Sequence, residues 1–256
     1  MIFVILIIFF ILLYIIYLNR IKNINLQEHF LNNEYTAIII EPREHKALEF
    51  VLENFIENLS HKWDFIIFHG NLNKDYIIKI LNSNSFLKKN INRIKLINLN
   101  INNLTLEDYN NLLVSKDFYK NIPTELFLIF QTDSIICKKN KDLINHFLKY
   151  DYVGAPWKDK TVGNGGLSLR KKTKMIEIID NCTYKNEPED IYFGKSCPEI
   201  FRNKPDFKNA KEFSVETVYN DKSFGIHKPW LHLKRNSYIN KVDRCDGLEK
   251  LRKLNI

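Results

Sequence analysis

Five consecutive apolar residues, Leu126-Phe127-Leu128-Ile129-Phe130, stop abruptly at Gln131-Thr132-Asp133-Ser134. An uninterrupted apolar run between polar boundaries reads as a strand buried on both faces, and such strands belong to parallel sheets covered by helices. The carboxylate of Asp133 then sits at the C-terminal end of that strand, where open α/β sheets hold their ligands. Tyr152-Val153-Gly154-Ala155-Pro156-Trp157 reads as another strand closed by a rigid turn, and the glycine-rich Gly163-Asn164-Gly165-Gly166 leads into a short strand ending at Arg170. An acidic strand end followed by a loop that exposes its backbone suits a metal-bound phosphate ester.

The chain upstream carries the same alternation. Thr36–Ile40 reads as a first strand, ending at Glu41-Pro42-Arg43-Glu44. Leu48, Val51, Leu52, Phe55, Ile56 and Leu59 follow at helical spacing, one apolar stripe packed on a sheet. A strand over 63–68, a helix over 74–87, a strand over 94–99 and a helix from Leu106 complete a β-α-β-α-β order, which predicts a parallel sheet. After Arg170 a helix is expected to run to Asp180 with Met175, Ile176 and Ile179 inward, and Pro188-Glu189-Asp190 reads as a helix start. From Cys197 onward no regular pattern is legible.

Residues 1–18 are apolar throughout, without charge, glycine or proline. As a helix they would span about 27 Å, close to the thickness of a hydrocarbon core. Neither a basic leader nor a small-residue cleavage site accompanies them, and a core helix so uniformly apolar would be unusual in a domain of this size. A single membrane anchor is therefore expected in preference to a cleaved signal peptide or a buried core helix. A polar connector follows over 19–34 and one α/β domain over 35–256. Arg20 and Lys22 lie just after the span, which leans toward a cytosolic domain by the positive-inside rule.

The net charge of +8 comes from scattered basic residues and speaks to partners, not to fold. No RNA-binding aromatic motif, zinc spacing or basic heptad is present, so no nucleic-acid partner is expected. Four cysteines lie far apart with no C-x-x-C pair, which argues against structural zinc and leaves disulfides open. Asn58, Asn103 and Asn181 each begin a glycosylation pattern that matters only in a lumenal domain.

Several strings, in order, resemble an uncharacterised domain family whose members look like type-A (GT-A) nucleotide-sugar glycosyltransferases. They are Ile40-Glu41-Pro42-Arg43, Phe68-His69-Gly70, Phe130-Gln131-Thr132-Asp133-Ser134, Tyr152 to Trp157, Gly163 to Arg170, Glu187 to Asp190 and His227-Lys228-Pro229-Trp230. The resemblance spans about residues 35 to 232. It implies a GT-A-like α/β domain with a mostly parallel central sheet flanked by helices, behind the N-terminal transmembrane helix.

It further implies a nucleotide-sugar donor, an acceptor that is a glycan, protein or lipid, and a divalent metal. Mn²⁺ is favoured over Mg²⁺ because imidazole suits transition metals. The metal motif of that fold is Asp-x-Asp; here Gln131 replaces the first acid, and Asp133 keeps the place of the second. His227 is placed in the chain to complete the metal shell. Glu189 and Asp190 match the acidic pair that supplies the catalytic base of inverting enzymes, Asp190 being preferred.

Each assignment has a plainer counterpart. Asp133 is also suited to capping a turn, and Asp190 to complementing a helix dipole. The backbone at Gly165 and Gly166 suits close approach to a sugar or phosphate, or simply a tight turn. Asn164 is a candidate for sugar hydroxyls and Arg43 for a nucleotide phosphate or base. Trp157 and Trp230 are candidate sugar platforms, although core packing is the commoner fate of tryptophan. The missing first acid favours a rival reading, a catalytically silent carbohydrate-binding or scaffold protein. A metal-dependent nucleotidyltransferase is a third.

Overall fold

A computed structural model describes residues 11–15 and 33–256. The expected span over 1–18 lies outside the described residues except for 11–15, which are helical with exposed side chains. No helix among the described residues is long and apolar enough to cross a membrane.

In chain order the elements are β1 (Tyr35–Ile40), α1 (Leu48–Asn58), β2 (Trp63–His69), α2 (Lys74–Ser83), α3 (Ser85–Lys89), β3 (Ile94–Asn98), α4 (Leu106–Leu113), α5 (Lys116–Lys120), β4 (Leu126–Phe130) and β5 (Ser134–Ile136). There follow α6 (Ile144–Phe147), β6 (Tyr152–Pro156), β7 (Val162–Lys171), α7 (Lys172–Asn181), α8 (Glu189–Gly194), α9 (Phe207–Phe213), β8 (Ser214–Val215), β9 (Gly225–His227), α10 (Arg235–Val242) and α11 (Leu248–Leu254).

The main sheet has the order β3-β2-β1-β4-β7-β6. Its first four strands are mutually parallel, and β7 runs antiparallel to both β4 and β6. The chain therefore reverses its direction of travel across the sheet between β1 and β4, the position at which α/β sheets open a crevice. Helices cover both faces. The α1 stripe foreseen from Leu48 to Leu59 is buried throughout, and Phe55 stacks on Phe130 of β4 with ring centroids 4.0 Å apart. Deleting the Phe130 ring would cost about 3–5 kcal/mol, the usual penalty for a lost core aromatic. On the other face α5, α7 and α8 bury Phe118, Met175, Ile178 and Phe193 against Ile38, Ile66 and Phe127.

Three local features depart from expectation. The helix expected over 74–87 breaks at Asn84, whose side chain accepts from the backbone N–H groups of Phe86 and Leu87 and so starts α3. In α7 the fully buried pair is Met175 and Ile178, with Ile176 and Ile179 half-buried beside them. The C-terminal part supplies β8 and β9, which join β5 in a second sheet of order β5-β9-β8. In it β9 is antiparallel to β5 and parallel to β8.

All four cysteines are paired, Cys137 with Cys245 and Cys182 with Cys197. The first bridge pins the segment between α10 and α11 to the end of β5. The second closes the loop that carries α8. Bridges of this kind typically contribute about 2–4 kcal/mol.

Candidate active site

A cleft of about 410 Å³ opens at the C-terminal ends of β1 and β4. Its walls are Ile40 to Arg43 at the end of β1, Asn103 to Leu106 with Tyr109 and Asn110 at the start of α4, Gln131 to Asp133 after β4, and Asn164 to Gly166 in β7. Pro188 to Asp190 and His227-Lys228 complete them. Arg43, Asp133, Asn164, Gly165, Gly166, Glu189, Asp190 and His227 are thus brought to one cavity.

The two tryptophans lie elsewhere. Trp157 is half-buried under the Lys195 ammonium, 4.3 Å from the ring centroid. Trp230 packs half-buried against the larger core cluster. Neither ring lines the cleft.

The second sheet assembles one end of the site. Antiparallel pairing sets His227 opposite Ser134, so that Asp133 approaches the His227 ring. Asp133 Oδ1 lies 3.1 Å from His227 Nε2, and Gln131 Oε1 lies 3.2 Å from the same nitrogen. The other ring nitrogen, Nδ1, is 3.1 Å from Asn164 Oδ1 and 3.2 Å from Glu216 Oε1. His227 is pushed up to about 9: burial pulls it down, but the carboxylates of Asp133 and Glu216 outweigh burial. Asp133 is held below the usual carboxylate range; burial would raise it, and His227 with Lys228 more than offsets that. Lys228 itself adopts a φ of +29°, a strained turn fixed by its N–H donating to the Asp133 carbonyl at 3.0 Å.

The fit of a divalent cation can be judged from these atoms. Asp133 Oδ1 is buried, and its close charged neighbour, the His227 ring at 3.1 Å, does not meet it in hydrogen-bond geometry. Its 3.1 Å separation from His227 Nε2 is close to that of two adjacent ligands on an octahedral ion, about 3 Å when each stands ~2.1 Å from the metal. One carboxylate, one imidazole and a neutral amide oxygen suit such a cation but leave most of its shell to other oxygens. Among the described residues, the one cluster of three potential metal ligands within bonding reach is Cys182, Cys197 and Glu199, whose cysteines are already bridged.

At the other end the acidic pair divides. Glu189 is buried and takes a bidentate contact from Arg170, with Nη1 to Oε2 at 2.6 Å and Nη2 to Oε1 at 3.0 Å. Arg170 is itself fully buried, lies over the rings of Tyr152 and Phe193, and donates from Nε to Ser168 Oγ at 2.9 Å. Burial raises the Glu189 carboxyl against the pull of Arg170, and Glu189 in turn keeps Arg170 charged. Asp190 faces the cleft, its Oδ2 accepting from the Gly165 N–H at 3.2 Å. Arg43 is braced by both carboxylate oxygens of Glu41, at 2.8 and 2.9 Å, with most of its side chain exposed.

The glycines serve these side chains. A Cβ on Gly165 would fall 2.2 Å from Glu189 Oε1, and one on Gly166 would fall 2.0 Å from the His227 ring. The space left by their missing side chains is therefore filled by Glu189 and His227. Gln131, in the place of an acid, is held between two neighbours, donating to the Tyr109 hydroxyl at 3.2 Å while its carbonyl oxygen meets His227.

Sequence reasoning assigned no role to Glu216, Tyr109 or the side chain of Arg170. Arg170 carried a usable signal, a charge in an otherwise buried strand upstream of an acidic pair. Glu216 carried none, since it meets His227 only through pairing of very short strands.

A family model described as "Protein of unknown function (DUF5672)" matches residues 93–227. That range contains every cleft residue except those at 40–43 and Lys228. No curated protein sequence matches the chain. Among solved structures, the glycosyltransferase GlyE of Streptococcus pneumoniae TIGR4 aligns with a TM-score of 0.50 at 12% identity, over 88% of this chain and 63% of that one. Its apo form aligns at 0.51, also at 12% identity, over 87% and 62%. The bifunctional glycosyltransferase WbbM, in its apo structure, aligns at 0.50 and 9% identity over 87% and 52%. The chain thus spans between half and two thirds of the length of these proteins, and what it shares with them is a fold.

Proposed function

We propose that this chain, which belongs to the DUF5672 family, is a membrane-anchored glycosyltransferase that moves a sugar from a nucleotide-sugar donor to an acceptor hydroxyl with divalent-metal help. The observation that carries this reading is the convergence of Asp133, His227 and Asp190 on one cleft at the β1/β4 strand ends. The fold shared with GlyE and WbbM supports it.

In this reading Asp133 and His227 hold the cation, and Gln131 presents a neutral oxygen beside them. The cation they would hold would supply Lewis acidity for the charge that develops on the leaving diphosphate. The imidazole in the donor set favours Mn²⁺ over Mg²⁺. Asp190 accepts the proton of the acceptor hydroxyl, a contribution of typically ~10²–10⁴-fold. Glu189 is excluded from that task by its bond to Arg170 and instead fixes the start of α8, so that Asp190 faces the cleft. Arg43, braced by Glu41, meets the donor phosphates or base, and Asn164 borders the sugar. Nothing in the pocket supports a sugar platform at Trp157 or Trp230.

The pairing of all four cysteines supports an oxidising compartment for the domain. This opposes the cytosolic side suggested by Arg20 and Lys22. Alkylation of the denatured protein with and without prior reduction decides it: four reactive thiols without reduction would put the domain in the cytosol.

The direct test offers the full chain a panel of UDP-, GDP- and dTDP-sugars with and without Mn²⁺. Donor-specific thermal stabilisation followed by turnover is expected. Stabilisation by free glycans alone would favour a silent binding protein, consistent with Gln131 in place of an acid. Cleavage of a nucleoside triphosphate in preference to a nucleotide sugar would make it a nucleotidyltransferase.

A further inference from the structure

We propose that Glu216 is the positioning residue of the metal site, holding the proton of His227 on Nδ1 so that Nε2 is presented to the cation. This rests on the metal reading of Asp133 and His227. Parallel pairing of Val215 with Ile226 puts the next residue of each strand side by side. Glu216 Oε1 accordingly lies 3.2 Å from His227 Nδ1. Asn164 Oδ1 faces the same nitrogen at 3.1 Å. Nε2 faces Asp133 and Gln131 at the cleft. Each ring nitrogen faces two oxygens, so the cation makes the choice: Nε2 shares its side of the ring with Asp133, and a cation held there would leave the ring's one proton on Nδ1, facing Glu216.

Glu216 is the stronger of the two acceptors. Asn164 Oδ1 is shared, since it also takes the Gly166 N–H at 3.2 Å. Glu216 is buried, and its next basic neighbour, His232 Nε2, stands 3.8 Å away, beyond hydrogen-bond reach. An ionised acceptor on one ring nitrogen fixes the ring's orientation and makes the other nitrogen a better donor to a metal. The ring has no freedom to turn aside, because it lies in the space left by the missing side chain of Gly166. Strands β8 and β9 therefore place a carboxylate behind the ligand and the cleft in front of it.

The test follows Mn²⁺ binding to the full chain through the loss of the free-ion electron paramagnetic resonance signal, without donor or acceptor. Glu216→Ala should weaken Mn²⁺ by about 10–100-fold, the usual effect of removing such a partner. Glu216→Gln keeps an acceptor oxygen at the same place and should restore most of the affinity. A folded Glu216→Ala protein that binds Mn²⁺ as the wild type does would overturn the positioning role and leave the metal reading standing. A wild-type protein that binds no Mn²⁺ would overturn both. Should Glu216→Ala fail to fold, isotope-labelled histidine spectra of the wild-type chain loaded with NMR-active cadmium give the answer alone. Metal coupling on Nε2 with the proton on Nδ1 is expected, and coupling on Nδ1 refutes the proposal.

Discussion

The buried Arg170–Glu189 pair should respond asymmetrically to the loss of its two members. Both side chains are removed from water, at 0% and 5% exposure, so a member left alone is an uncompensated buried charge, typically costing about 3–5 kcal/mol. A carboxyl can escape that cost by taking up a proton, and a guanidinium cannot. Glu189→Leu should therefore destabilise the protein by the full ~3–5 kcal/mol at every pH from 4 to 8. Arg170→Met leaves Glu189, whose ordinary value is 4.5 and which burial raises. Below about pH 4.5 the carboxyl is protonated in both folded and unfolded chains, and only lost packing is felt. As pH rises above that, the unfolded chain releases its proton while the folded one retains it, so stability falls. Between pH 4.5 and 7 the loss can reach about 3 kcal/mol, at 1.36 kcal/mol per unit. Arg170→Met/Glu189→Leu should be more stable than either single variant at pH 7. Urea unfolding of the four proteins across pH measures all of this. Strictly additive losses, or an Arg170→Met deficit that does not grow with pH, would refute the picture of a dry, mutually dependent pair.

Asp190→Asn keeps shape and hydrogen bonding but removes proton acceptance, so transfer should fall ~10²–10⁴-fold with donor binding intact; near-normal transfer would reject Asp190 as the base. In metal-free protein, His227 carries a folded value of about 9 against an ordinary 6.5. Its ion pairs should therefore contribute stability in full below pH 6.5 and lose it as pH rises through 9, by roughly 3 kcal/mol in all. The gap in unfolding free energy between wild type and His227→Gln should shrink over that window, and a constant gap would contradict it. Deleting residues 1–22 should release a soluble domain that unfolds cooperatively, and loss of the near-ultraviolet dichroism of a packed core would mean that the stretch is structural.

The sequence carried the main sheet well because its strands and helices are locally encoded. Leu126 to Phe130 and the stripe from Leu48 to Leu59 each declare a buried face through spacing alone. Asp133 was legible for the same reason, as the first carboxylate beyond a buried strand. What escaped was pairing without local pattern. Strands β5, β8 and β9 have three, two and three residues, too few for any period, yet they bring Asp133, Glu216 and His227 together across more than ninety positions. The acidic pair was found, but its division of labour was not, since only the buried Arg170 guanidinium tells Glu189 from Asp190. The glycines were seen as openings toward a ligand. They do line the cleft, and their missing side chains also admit Glu189 and His227, a choice made by packing between elements.

The central claim is that Asp133 and His227 form a cation site completed by the donor diphosphate. Calorimetry of nucleotide-sugar binding, with and without Mn²⁺, on wild type and Asp133→Ala tests it most directly. With so sparse a protein shell, Mn²⁺ and donor should each tighten the other by about 5–150-fold in the wild type, the usual range of such coupling. Asp133→Ala should abolish that coupling. Wild-type donor affinity that ignores Mn²⁺ would contradict the account.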